Sequence, residues 1–539
     1  MLWFFASRCN SAPPLPENPS VKIGAPLEKD RNEPKPVKPD PAATADTMDL
    51  KNGGLVKEIY QKTADSLLWS AQGKVKPEAD SLLALIDQCR FYGLFPVDYL
   101  QKKLTAVRSD LQKPGSAGLP PNDPRWLSFD LMATSSFIQL VKDIKLGRLA
   151  ADSVLMKDSS LNADFFLQQK NAFATGSITS FTQSLEPTAA GYHHLKTALR
   201  RFLRKANLKR FTLIKTKDSL LWPGLVYQRL AEEDTLKLKP VKNPDSLTVS
   251  KAILKYQKWK KLKQDGLVSP ALVNRLNATD LEAFLRVAIT LDKYKMLPSL
   301  QDDYIWVNLP GFYLEVRHGD TTILKSKIIC GKPETRTPQL TSVITDMITY
   351  PQWTIPESII KKEILPGLKR DAGYTRRKGF SLVDNNGNEI NPYTVNWAKF
   401  KNVIPYRVVQ GSGDDNALGV MKFNFTNPYA VYLHDTNQRY LFGKSSRALS
   451  HGCVRVQQWK QLADFILHKE KLLDSVKAVP IDSVNKWLAA KKKKVIRVKQ
   501  QLPLFIRYFS AEGHDGKLVL YDDIYEEDKR IREKYFATK

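Results

Sequence analysis

Apolar residues recur at helical spacing through the first third of the chain and change to strand-like alternation only after residue 300. Leu82, Leu83, Leu85 and Ile86 lie on one side of a helix that precedes Gly93-Leu94-Phe95-Pro96. Phe129, Leu131, Met132, Phe137, Leu140 and Val141 continue that period, and from about Leu55 to Leu208 helices dominate. A smaller helical unit follows. Leu225, Tyr227 and Leu230 precede a polar loop, Ile253, Leu254, Tyr256, Gln257 and Trp259 share a second helix, and Asp265-Gly266-Leu267-Val268-Ser269-Pro270 turns into a third ending at Leu276-Asn277. A helix over 281–297 leads into alternating strands at Tyr304–Asn308 and Phe312–Val316. Between Pro356 and Phe400 the alternation breaks, and Lys361, Lys362, Lys369, Arg370, Arg376 and Arg377 crowd there. Further strands are expected at Leu504–Phe509 and Lys517–Tyr521. Residues 10–48 are rich in proline and poor in large apolar side chains, which predicts an extended linker.

The pattern predicts a multidomain α+β protein. Its expected parts are a leader remnant and Pro-rich linker (1–48), a helical domain (49–215), a three-helix module (222–278) and a connecting helix (281–300). A mostly β domain (301–485) follows, with an insertion at about 357–400, and then a C-terminal extension (486–539). At 539 residues the chain exceeds one ordinary core.

The densest chemistry lies in Ser450-His451-Gly452-Cys453-Val454-Arg455, with His434 upstream in Tyr432-Leu433-His434-Asp435-Thr436. A cysteine becomes a nucleophile when a base or a positive field favours its thiolate. Apolar Ala430, Val431, Tyr432 and Leu433 make His434 the expected end of a buried strand. Val456, Trp459, Ala463 and Ile466 recur at helical spacing, so Cys453 is expected just before a helix N-terminus, where unpaired N–H groups favour negative charge. A metal held by His434, Asp435, His451 and Cys453 competes with this reading. Zinc sites show tighter spacings such as Cys-x2-Cys, which are absent, so no metal is expected. Cys89 and Cys330 sit in apolar patterns and read as inert core thiols.

At these residues the chain resembles the L,D-transpeptidases with a YkuD-type catalytic domain, whose signature is a histidine followed after a loop by Ser-His-Gly-Cys, a small apolar residue and Arg or Asn. Asn416-Ala417-Leu418-Gly419-Val420-Met421-Lys422-Phe423 resembles the family's strand before the histidine. Thr337-Pro338-Gln339-Leu340, Pro351-Gln352-Trp353-Thr354-Ile355-Pro356 and Lys362-Glu363-Ile364-Leu365-Pro366 resemble the large, YcbB-like branch, in which helices flank the catalytic domain and the 357–400 region is a lid. The 222–278 unit is similar to the three-helix peptidoglycan-binding module.

The resemblance implies that Cys453 is the nucleophile and His434 its base, oriented by the backbone carbonyl of Asp435. Backbone N–H groups around Gly452 and Cys453 would form the oxyanion hole. Arg455, His451, Ser450 and Tyr432 would bind substrate. The implied reaction uses no cofactor: a thioester forms on a tetrapeptide stem with release of D-alanine, and a second stem's amine resolves it as a 3→3 cross-link. Water as acceptor gives an L,D-carboxypeptidase, and a wall-bound protein gives attachment or detachment through the same site. A non-catalytic peptidoglycan-binding scaffold is the reading from another class. Carbapenem sensitivity and a role in cell-wall biogenesis and cell shape are also implied.

Charge and compartment follow from that substrate. The net charge is +27, and no nucleic-acid motif accompanies it. An anionic wall suits the basic surface, so nucleic acid is not expected as a partner. Four cysteines make no disulfide framework. Met1–Ala6 followed by Ser7-Arg8-Cys9 lacks the basic region and apolar core of a full signal peptide. It reads as the tail of a leader or an ordinary N-terminus. The expected location is the periplasm or cell envelope, with a membrane tether through a missing or partial leader.

Overall fold

The computed structural model describes residues 50–112, 119–120, 123–149, 160–215, 218–298, 300 and 302–536. The expected leader remnant, Pro-rich linker and Cys9 lie outside them. Among the described residues no helix is long and apolar enough to cross a membrane.

The first part is helical, with its longest helix at Pro124–Lys145. Asp123 starts that helix by accepting from Arg125 N–H, and Pro124 occupies the first turn, where a missing N–H costs nothing. Asp130 on this helix is buried, and its carboxylate accepts from Tyr60 Oη (2.5 Å), Leu68 N (2.6 Å), Trp69 N (2.9 Å) and Ser70 Oγ (3.0 Å). That network ties the longest helix to Gly53–Lys62 and to the short hairpin after it.

The small unit has helices Trp222–Ala231, Ser246–Trp259 and Pro270–Asn277 around their own core. Its sequence pattern has a physical cause. Gln257 Oε1 accepts from the N–H groups of Asp265 and Gly266, while its Nε2 donates to Asp265 Oδ1 at 2.8 Å. Gly266 has φ +66, a conformation that favours glycine. Asn277 closes the unit by bonding both backbone groups of Ile214.

The second half is built on a ten-stranded sheet. Its strands are β1 (Asp303–Asn308), β2 (Tyr313–His318), β3 (Thr321–Gly331), β4 (Leu340–Thr349) and β5 (Met421–Phe425). They continue as β6 (Leu433–His434), β7 (Ala448–Ser450), β8 (Val454–Val456), β9 (Lys494–Arg497) and β10 (Pro503–Arg507). The pairing runs β5-β6-β8-β3-β2-β1-β10-β4 and closes through β4–β5, so the ladder forms a barrel-like ring. β6 runs parallel to β8, and β10 parallel to β1. The interior is filled by Ile305, Leu314, Met347, Phe423, Leu433 and Val454, among others, all fully buried.

The C-terminal extension, where strands are expected, completes the sheet: β9 and β10 pair with β4, and β10 separates it from β1. The insertion expected at about 357–400 is a folded unit of its own. Residues 353–410 carry their own four-stranded sheet and a core of Ile355, Leu368, Leu382, Trp397, Ile404 and Val408. Its apolar residues are spread among lysines and arginines, which hides that core from a periodicity reading.

Sheet and scaffold helices also share apolar packing. Phe95 stacks edge-on against Phe284 at 5.2 Å, while Trp306 meets Phe509 at 5.3 Å within the same cluster.

Candidate active site

The site begins with strand register. β6 pairs with β8 so that Leu433 faces Val454 and His434 faces Arg455. β5 pairs with β6 so that Lys422 faces His434. Lys422, His434 and Arg455 therefore form a row across three strands. Side chains alternate along a strand, so Tyr432 shares the face of His434, and Cys453 that of Arg455. The register thus gathers a thiol, an imidazole, a phenol and two cations.

Cys453 is half-buried, with Sγ 4.0 Å from the Ala430 carbonyl. The Tyr432 hydroxyl lies beside the thiol and the Trp353 indole. Tyr432 and His434 rings are 5.6 Å apart, and Lys422 Nζ sits 4.0 Å from the Tyr432 ring centre. Burial pushes the Cys453 thiol up, against hydrogen bonding from Tyr432 and the charges of Lys422 and Arg455. His434 is 4% exposed. Burial, then the Arg455 charge and after it Lys422, lowers its imidazole to about 3, against the Asp435 and Leu418 carbonyls, which raise it. The resting pair is a neutral thiol and a neutral imidazole.

The helix expected at Cys453 starts further on. β8 intervenes, and the helix covers Trp459–Leu473. Val456 belongs to the strand; a three-residue strand is too short for its own period to show. The positive field at the thiol comes instead from Lys422 and Arg455.

The remaining motif residues take definite places. Ser450 is buried, and its Oγ accepts from Gly452 N–H at 3.1 Å and donates to the Cys453 carbonyl at 2.6 Å. The Gly452 N–H, expected in an oxyanion hole, is thus engaged by Ser450. Gly452 has φ +125, which explains the glycine. The Asp435 carboxylate turns away to Arg439, pairing with Nη2 at 2.6 Å and accepting from Val420 N–H at 3.1 Å. Among the described residues the buried His434 Nδ1 has no hydrogen-bond partner, so the Asp435 carbonyl acts on it only as a nearby dipole. Arg455 Nη1 donates to Gln438 at 3.0 Å, while its buried Nε has no partner. His451 does not line the cleft described below; its Nε2 lies 2.5 Å from Glu363 in the π-helical turn Ile360–Ile364.

A cleft of about 960 Å³ runs from Trp353, Ile355 and Tyr406 to Lys422, Ala430 and Tyr432, between the insertion and the thiol. Lys422, Trp353 and Glu363 carry no role in the sequence reading. Lys422 had a signal: a lysine in the alternating run Met421-Lys422-Phe423-Asn424-Phe425 must face away from the core. Cys89 and Cys330 are fully buried, and burial pushes the Cys330 thiol up to about 11. Among the described residues no group of three or more His, Cys, Asp or Glu is placed to hold a metal ion.

A closed sheet thus carries a buried imidazole on one strand and a thiol at the residue before its parallel neighbour, and comparison with known proteins names the domain. Residues 302–481 match the family model of the L,D-transpeptidase catalytic domain, YkuD, and residues 54–199 match that of the scaffold domain. Residues 302–481 are thus a YkuD-type L,D-transpeptidase catalytic domain, and residues 54–199 a scaffold domain. It is similar to a Haemophilus influenzae protein described as "Putative L,D-transpeptidase", with 35% identity over 246 residues, or 46% of this chain and 48% of that one. The match thus spans about half the length of the curated relative. Among solved structures it is similar to an L,D-transpeptidase from Mycobacterium smegmatis (12% identity, TM-score 0.18, 38% of this chain and 58% of that one). Another is an Enterococcus faecium L,D-transpeptidase (11% identity, TM-score 0.15, 39% of this chain and 50% of that one).

Proposed function

We propose that the chain forms 3→3 cross-links in peptidoglycan by cysteine acyl transfer in the periplasm. The observation that carries this is the register of β6 against β8, which sets His434 and Cys453 on one face under the insertion. His434 takes the thiol proton as Cys453 attacks the carbonyl before a terminal D-alanine. The carbon–nitrogen bond breaks, D-alanine leaves with that proton, and a thioester remains. A neighbouring stem's side-chain amine then attacks, His434 accepts its proton, and the thiol returns. Arg455 and Lys422 offer desolvated charge to stem carboxylates. The insertion walls the cleft and excludes water, which favours the amine acceptor. The three-helix module would hold the wall polymer.

Incubation with purified tetrapeptide muropeptides, followed by mass analysis, tests the reading. A dimer lacking one D-alanine is expected, and Cys453→Ala should abolish it. Tripeptide alone would make the enzyme a carboxypeptidase, and an active Cys453→Ala protein would sink the mechanism.

A further inference from the structure

The turn around the thiol permits a complete count of its backbone hydrogen bonds. Gly452 N–H goes to Ser450 Oγ, and the Cys453 carbonyl accepts from that same oxygen. Val454 N–H donates to the Tyr432 carbonyl at 3.1 Å. The Gly452 carbonyl accepts from Thr337 Oγ1 at 2.8 Å. Between Gly452 and Val454, among the described residues, that leaves the Cys453 N–H as a donor with no protein acceptor.

Thr337 is itself held. It is buried, its Oγ1 accepts from Gly331 N–H at 2.9 Å, and its N–H donates to Tyr525 Oη at 3.3 Å. The Tyr525 hydroxyl donates to the Gly331 carbonyl at 2.7 Å. Tyr525 is anchored in turn, its N–H bonded to Tyr508 Oη at 3.0 Å. A bracket therefore runs from the C-terminal segment through Thr337 to the Gly452–Cys453 peptide.

In a trans peptide, C=O and N–H point in opposite directions. Fixing the Gly452 carbonyl on Thr337 turns the Cys453 N–H the other way. That N–H belongs to the nucleophile's own residue, so an oxygen on a carbon bonded to Sγ comes within its reach. We propose that Thr337, braced by Tyr525, is a positioning residue that aims the Cys453 N–H as oxyanion donor. The inference rests on the acyl-transfer reading above. It narrows the expected donors around Gly452 and Cys453 to the Cys453 N–H and adds a residue more than a hundred positions away.

Two reagents separate this role from a merely structural one. A carbapenem acylates the thiol: sulfur bonds to the lactam carbonyl carbon, the ring C–N bond breaks, and the ring nitrogen takes the thiol proton. Charge builds on oxygen in that step. Iodoacetamide alkylates the same thiol by displacing iodide, with no oxyanion. In the full chain, Thr337→Val should slow acylation by about tenfold or more and leave Cys453 alkylation essentially unchanged. Thr337→Ser, which keeps the hydroxyl, should restore acylation. Tyr525→Phe should lower the acylation-to-alkylation ratio in the same direction, and serves if the valine variant does not fold. Unchanged acylation in Thr337→Val and Tyr525→Phe, or equal losses with both reagents, would overturn the inference while leaving acyl transfer intact. A wild-type protein that alkylates but never acylates would overturn both.

Discussion

Cys453 and His434 show how burial and charge compete at single residues. Two cations face the thiol, yet desolvation outweighs them and the thiol rises. The same cations and the same burial depress His434 to about 3. The sign follows directly. The imidazole stays neutral through the whole neutral range, so the base is not lost in mild acid. The thiolate is scarce below the thiol's raised pKa, and its fraction falls about tenfold for each pH unit below it. Alkylation of Cys453 by iodoacetamide should therefore climb steadily from pH 6 to beyond 9. A plateau beginning in acid would reveal a thiolate–imidazolium pair and contradict this electrostatic picture. Lys422→Met removes a charge that lowers the thiol, so it should shift the curve to higher pH and slow alkylation at pH 8. The two candidate catalytic residues were legible in the sequence because a strand-end histidine and a glycine-bounded cysteine are local signals. Lys422 showed only that it faces away from the core, and Thr337 and Tyr525 were not legible, because each reaches the site through bonds between residues far apart in the chain.

At the level of elements, the insertion touches the catalytic turn through Glu363 and His451, whose side chains are 46% and 34% exposed. A pair that open to solvent is worth about 1 kcal/mol or less. Such a contact suits an element that opens and closes rather than one locked in place. It also lies in a π-helical turn, a geometry frequent at functional sites. Glu363→Ala should raise amide hydrogen exchange over residues 357–370 and increase the share of hydrolysed tripeptide relative to dimer. Unaltered exchange there would show that the contact does not hold the insertion. The region shows in the sequence as a break in alternation and a crowd of cations. Its internal sheet was hidden because Trp353–Thr354 and Arg407–Gln410 pair across more than fifty intervening residues. The helix expected at Cys453 failed for the opposite reason: a short strand was absorbed into the period of the helix behind it.

For the whole molecule, the closed sheet decides what can be removed. β10 lies between β1 and β4, and its Phe505 and Leu504 are buried on opposite faces. Leu504 and Ile506 pack into the barrel interior, whereas Phe505 joins Phe95, Phe284 and Trp306 beneath the helices. A chain ending at residue 481 would strip β1 of one neighbour and open β4 along β9 and β10, exposing strand edges and apolar surface together. It should fail to give a folded monomer and should aggregate, as read by circular dichroism and gel filtration, although residues 302–481 contain Cys453 and His434. Phe505→Ala in the full chain should be milder, at about 3–5 kcal/mol, because it empties one buried site without breaking the ladder. Since its side chain lies under the scaffold helices while its backbone belongs to the sheet, that loss should lower the melting of both parts together. Two separate transitions, with only one shifted, would show that scaffold and catalytic sheet fold independently. A soluble, acylable 302–481 fragment would show that β9 and β10 are dispensable to the site.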